Sequence, residues 1–287
     1  MSLSVVLLAV AIVGGVGLVF GGLIALANKK LKVWEDPRID QVAGMLPGAN
    51  CGGCGLAGCR AFAEAVVAGT ALPAGCNVLS ADGVADLAAF LGVEAGEANK
   101  RVARLLCAGG HDVAVRKADY YGVQSCAAAA AVAGGGKGCA WGCLGLADCA
   151  VACTFDAIEM NATGLPLVDP EKCTACGDCV SACPLGLFTL LPLESKLIVQ
   201  CKSLLQGEAA TRVCSVACNA CGRCVADAAP GLISMQNGLA VIDYGQIALQ
   251  DQAAIARCPT GAIAWVEGEQ FHVAAPVRAG ALVGSGV

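Results

Sequence analysis

The chain has 287 residues, of which 14% are charged and 4% aromatic, and it carries 38 glycines. That is length for two or three small domains, but the composition builds only modest cores unaided. A net charge of −5 and the lack of a basic stripe interleaved with aromatics exclude nucleic acid as a partner.

The first element is a membrane anchor, residues 1–28. No charged side chain occurs before Lys29, and Val5 to Ala27 is almost wholly apolar or small. The run exceeds the ~20 residues a helix needs to cross a bilayer. Lys29, Lys30 and Lys32 follow it, which predicts a single pass with the N-terminus outside and the remainder in the cytoplasm. A cleaved signal peptide would carry its positive charges before the apolar run. Gly14, Gly15, Gly17, Gly21 and Gly22 would let another membrane helix approach closely. Inside a cell thiols stay reduced, so the twenty cysteines read as metal ligands and not as a disulfide framework.

Residues 29–100 form a small Cys-rich module. The segment "GANCGGCGLAGC", followed by "PAGCNV", offers Cys51, Cys54, Cys59 and Cys76. A C-x2-C-x4-C loop rich in glycine can wrap an iron–sulfur cluster and aim N–H groups at its sulfurs. Structural zinc more often takes two separated C-x2-C pairs. Helices are expected at roughly Arg60 to Ala68 and Asp82 to Leu91, with a linker from Gly92 to Lys100.

Residues 101–195 read as a two-cluster ferredoxin-like module. "KCTACGDCVSACP" is the bacterial run C-x2-C-x2-C-x3-C-P, whose first three cysteines serve one cluster and whose fourth serves the other. The second set is therefore Cys153 with Cys173, Cys176 and Cys179. Thr154 stands where proline usually follows the outlying cysteine. The third set contains Cys149, Cys183 and Cys143, with Cys139 as the expected fourth ligand and Cys126 in reserve. Two short strands, Ile158 to Asn161 and Leu165 to Asp169, should meet across a glycine turn.

Residues 196–272 repeat this module at a shift of 75 positions. Cys139, Cys143, Cys149 and Cys183 land on Cys214, Cys218, Cys224 and Cys258, and Cys126 lands on Cys201. Cys153, Cys173, Cys176 and Cys179 land on Ala228, Ala248, Asp251 and Ala254, so one whole ligand set is gone. Partial loss would leave oxidisable orphan thiols. The surviving fourth set is Cys218, Cys221, Cys224 and Cys258. Cys221 has Leu146 as its mate, which cannot ligate. Cys107, Cys126, Cys201 and Cys214 are left over; they read as buried small hydrophobes, with a fifth site left open. His111 and His272 read as structural, Asp112, Lys117 and Tyr120 as surface, and Trp141 as a shield over a cluster. Residues 273–287 read as a flexible tail.

Taken together, the anchor, "GANCGGCGLAGC" and the ferredoxin modules containing "GCLGLADCAVAC" resemble the B subunits of Rnf complexes, from the anchor to about Ile263. The first module alone also resembles domains of corrinoid iron–sulfur proteins. The resemblance implies a membrane complex that moves electrons between reduced ferredoxin and NAD, coupled to sodium or proton translocation, with this chain accepting electrons from soluble ferredoxin and relaying them toward other membrane and peripheral subunits. The expected fold class is α+β: a single transmembrane helix, a small [4Fe–4S] domain, and two duplicated bacterial-ferredoxin-like modules holding four [4Fe–4S] clusters in all. The rival readings are a ferredoxin-like component of another membrane oxidoreductase and a zinc-stabilised scaffold.

Overall fold

The computed structural model describes residues 3–31, 35–97 and 99–271. The expected tail, His272 and the juxtamembrane residues Lys32 and Trp34 lie outside the described residues. Helix α1 (Leu3–Leu31) runs for 29 residues, about 43 Å at 1.5 Å per residue, against a hydrocarbon core of about 30 Å. Its Leu7–Leu31 stretch is long and apolar enough to cross a membrane, and none of the described residues buries it. The helix runs past the expected end at Asn28 to place Lys29 and Lys30 in its last turn, where cations suit the exposed carbonyls.

The Cys-rich module packs α2 (Arg38–Met45), α3 (Cys59–Val67) and α4 (Ala81–Leu91) around Val42, Leu46, Phe62, Val66 and Leu87. The chain stops α4 with recognisable signals. Ser80 caps its N-terminus by accepting the Gly83 N–H, and Gly92 ends it in the left-handed conformation at φ 66°. The following segment is tied down, since Ala74 N–H donates to Ala95 and Asn77 brackets the backbone of Arg101.

Among the described residues beyond it lie four two-stranded antiparallel sheets. In the first copy β1 (Arg101–Leu105) pairs with β4 (Phe188–Pro192), and β2 (Ile158–Met160) pairs with β3 (Pro166–Val168). In the second copy β5 (Leu197–Val199) pairs with β8 (Ile263–Trp265), and β6 (Ile233–Gln236) pairs with β7 (Leu239–Ile242). The β2–β3 turn forms because Asn161 Oδ1 accepts the N–H groups of Thr163 and Leu165 while Gly164 takes φ 75°. Short helices fill the connections: α5 (Cys126–Ala131), α6 (Asp148–Val151) and α7 (Asp178–Ala182) in the first copy, then α8 (Gly207–Val213), α9 (Arg223–Asp227) and α10 (Ala253–Ala256) in the second.

The two copies interlock. Ala114 bridges Cys214, and Val115 N–H donates to Val213. Gln270, read with the second copy, returns to β1: it accepts from Leu105 N–H at 3.0 Å and donates to Leu105 O at 2.8 Å. Arg104 reaches Gly268 O at 2.7 Å. The hydrogen bonds also reveal which positions correspond. Leu106 N–H donates to Leu187 O, and Gln200 N–H donates to Ala262 O. Leu187 and Ala262 are one repeat apart, so Leu106 matches Gln200, and Cys107 matches Cys201. The repeat read at 75 positions paired Cys201 with Cys126 instead. The cause is an insertion: 32 positions separate Cys107 from Cys139, whereas 13 separate Cys201 from Cys214.

Where the second copy has lost a ligand set, side chains fill the place. Ala254 is buried in the same core as Cys224, with Ala228, Tyr244 and Ile255 packed against it. Ala248 and Asp251 face solvent.

Candidate metal centres

Each ferredoxin-type loop bends through left-handed backbone. Gly145, Ala175 and Ala220 take φ of 75°, 58° and 63° within the loops, and Ala147, Gly177 and Gly222 do so just before α6, α7 and α9. For alanine this conformation costs about 1–2 kcal/mol. It sets Cys149, Cys179 and Cys224 in the first turns of those helices and curls the chain around their sulfurs.

The cysteines gather in quartets, each lining a small cavity. Cys51, Cys54, Cys59 and Cys76 line one, roofed by Leu46 and Phe62. Cys153, Cys173, Cys176 and Cys179 line a second. Cys218, Cys221, Cys224 and Cys258 line another, in which Cys221 is exposed. In these three the structure brings together the residues that the spacing grouped.

The remaining set differs. Cys143, Cys149 and Cys183 share their cavity with Cys126, and Cys139 is elsewhere. Cys126 opens α5, and Asp148 carries it there. The Asp148 carboxylate accepts from Cys126 N–H and Ala127 N–H, each at 2.9 Å, and from the Ser125 hydroxyl at 3.2 Å. Asp148 precedes Cys149, so the inserted segment delivers its thiol to the space that Leu146 leaves without a ligand. Only long-range packing makes this substitution, and no spacing rule reports it. Cys139 joins Cys107, Cys201 and Cys214 around a further cavity, with Trp141 and Lys137 in its wall. Trp141 thus stands over a cysteine quartet. His111 packs over Gly164, where a Cβ would come within 2.6 Å of the ring.

The donor chemistry suits iron–sulfur clusters. Burial pushes the thiols of Cys143, Cys149 and Cys179 up to about 12 and Cys214 up to about 11. Each would shed a proton on ligation. Cys258 goes the other way. Burial raises it, but N–H groups of Ile263, Thr260 and Ala262 with the Thr260 hydroxyl outweigh that and hold it low. Backbone N–H groups already face other sulfurs: Gly109 to Cys107, Leu187 to Cys183 and Ser203 to Cys201, all at 3.4 Å. In the second quartet's wall the buried Thr174 hydroxyl faces the Cys176 sulfur and works against the burial that raises that thiol. Single ions fit poorly. Zinc–sulfur bonds of about 2.3 Å would draw four sulfurs together, and among the described residues no group of three or more His, Cys, Asp or Glu is arranged to hold one metal ion. These sulfurs surround a volume. Beside Cys173 lies Arg104, buried, with its Nε unpartnered; burial lowers its pKa and the nearby Cys173 sulfur opposes that.

Known proteins agree with this chemistry. A family model described as a putative Fe-S cluster matches residues 46–78, and one described as a 4Fe-4S binding domain matches residues 164–185. The chain is 44% identical over 261 residues to the B subunit of the sodium-translocating ferredoxin:NAD(+) oxidoreductase complex of Acetobacterium woodii, covering 91% of this chain and 78% of that protein. It is 40% identical over 263 residues to the proton-translocating counterpart of Clostridium ljungdahlii, covering 91% and 93%. To the B subunit of the ion-translocating oxidoreductase complex of Methanosarcina acetivorans it is 38% identical over 260 residues, covering 91% and 98%. With the quartets arranged as described and likeness running nearly end to end, the chain belongs to the B-subunit family of the Rnf-type ion-translocating oxidoreductase complexes.

Proposed function

We propose that this chain is a membrane-tethered electron relay, taking electrons from reduced soluble ferredoxin and passing them through [4Fe–4S] clusters toward the membrane and peripheral subunits of an Rnf-type complex, where transfer is coupled to ion translocation and NAD reduction. The ligands are Cys51, Cys54, Cys59 and Cys76; Cys153, Cys173, Cys176 and Cys179; Cys126, Cys143, Cys149 and Cys183; and Cys218, Cys221, Cys224 and Cys258. When bound, the clusters supply one-electron carriers over a wide range of potential. The chain holds them close together, excludes water and tunes them.

The observation that carries this reading is that the quartets abut. A Cβ on Gly53 would sit 2.2 Å from the Thr174 carbonyl oxygen, so the loops of the first two quartets touch. Asn77, next to Cys76, donates to Cys173 O at 3.5 Å. Cys149 and Cys153 share α6 and its end, linking the second quartet to that of Cys126, Cys143 and Cys183. α1 ties the Cys51 module beside the membrane in a single pass, with Lys29 and Lys30 on the cytoplasmic side. The exposure of Cys221 at the far end supports entry of electrons from a soluble donor there.

Rapid mixing of anaerobic, detergent-solubilised full chain with reduced ferredoxin tests the relay. Bleaching of the chain's visible absorption together with ferredoxin oxidation is expected. An iron-loaded chain that reduced ferredoxin does not bleach would overturn the reading.

A further inference from the structure

We infer that Cys107, Cys139, Cys201 and Cys214 hold a fifth [4Fe–4S] cluster, built half from each copy and joining the two into one conductor. The inference rests on the iron–sulfur reading above and extends it to the four thiols that the ferredoxin motifs leave aside. The cavity these four line matches those of the other quartets in size. Two of the sulfurs converge on one glycine: a Cβ on Gly109 would stand 3.1 Å from Cys214 Sγ and 3.6 Å from Cys107 Sγ.

The quartet has an internal symmetry that points to a built site. Cys107 and Cys201 are structural equivalents, each following the first strand of its copy. Each sulfur faces the N–H two residues on, from Gly109 and Ser203, both at 3.4 Å. Cys139 and Cys214 are equivalent through the 75-residue repeat. Each copy therefore contributes one post-strand thiol and one thiol four residues before its C-x-x-x-C partner, Cys143 or Cys218. All twenty cysteines now fall into five sets of four.

Position gives the quartet its role. On one side Cys143 N–H donates to Cys107 Sγ at 3.3 Å, and Cys143 belongs to the neighbouring quartet. On the other side the Cys218 N–H faces the Cys201 sulfur, and Cys218 belongs to the quartet at the far end. The five sites thus run in a row from Cys51 to Cys221, with this one as the link between copies. One electron leaves a reduced neighbour, is taken up here and passes to the next oxidised site; no atom or proton need move. Lys137 and Trp141 complete the wall.

Iron and acid-labile sulfide are counted in the anaerobically purified full chain, alongside zinc, and Mössbauer spectra are recorded. Five cubanes give about 20 irons per chain and four give about 16. The Cys107→Ser/Cys214→Ser double variant should lose about four irons while retaining the spectra of the other sites, and Cys126→Ser should lose a different four. A parent chain with about 16 irons, stoichiometric zinc, or a double variant as iron-rich as the parent overturns the fifth site and leaves the relay standing. A chain free of iron overturns both. The count on the unaltered chain decides the matter even where the double variant does not fold.

Discussion

Replacing Asp148 with alanine should uncouple Cys126 from its quartet. The Asp148 carboxylate accepts three hydrogen bonds at the start of α5, at 2.9, 2.9 and 3.2 Å. Bonds to a charged group contribute about 1.5–3 kcal/mol each. The three share one half-buried carboxylate and do not add, and water returns to the vacated space, so we take about 3 kcal/mol for the set. Little else holds α5 in place: it has six residues, and only Ala129 among them is buried. At about 1.4 kcal/mol per tenfold, docking of the segment weakens roughly 100-fold. A cubane with three firm ligands and one that dissociates sheds iron. The assay is the rate at which a chelator removes iron from anaerobic protein, with electron paramagnetic resonance reporting three-iron products. Asp148→Ala should release about four irons per chain roughly 100-fold faster than the parent, and Cys126→Ser should release the same iron. Cys139→Ser should leave that cluster untouched. A cluster at Cys143, Cys149 and Cys183 that survives both changes but is lost in Cys139→Ser would refute the reasoning.

Three further outcomes are expected. Gly53→Ala should force apart the abutting loops of the first two quartets, because the new methyl would meet Thr174 O at 2.2 Å; iron content should hold while flash-initiated transfer between those clusters slows several-fold, and an unchanged rate would argue against that route. Arg104→Met removes a buried cation beside Cys173 and should lower the potential of the Cys153/Cys173/Cys176/Cys179 cluster by tens of millivolts in a redox titration, while losing the bond to Gly268 O costs about 1 kcal/mol in a urea midpoint. Deleting residues 3–31 should leave iron content unchanged and move the protein from the membrane pellet to the supernatant; persistence in the pellet would show that α1 is not the anchor.

What could be read from the sequence follows from where ligands lie along the chain. Cys51, Cys54 and Cys59 sit on one loop, as do Cys173, Cys176 and Cys179, and Cys218, Cys221 and Cys224; local spacing reports such sets directly. The α4 boundary was legible because Ser80 and Gly92 act on their immediate neighbours. Cys126 was harder, because its partner Asp148 lies 22 positions away and an insertion carries it across. The Cys107 quartet was harder still. Its members come from four separate segments, and the 75-residue register misaligned Cys201 with Cys126 because strand pairing, not spacing, sets the true correspondence. Gln270 likewise gave no local sign that it closes the edge of β1.

That returning glutamine bears on biogenesis. Leu105, whose backbone it satisfies at both N–H and C=O, leaves the ribosome 165 residues earlier. The edge of the first sheet therefore stays open until Gln270 is made. Iron loaded before then enters an unfinished vessel, so a chain cut short of Gln270 should lose iron faster than one that includes it.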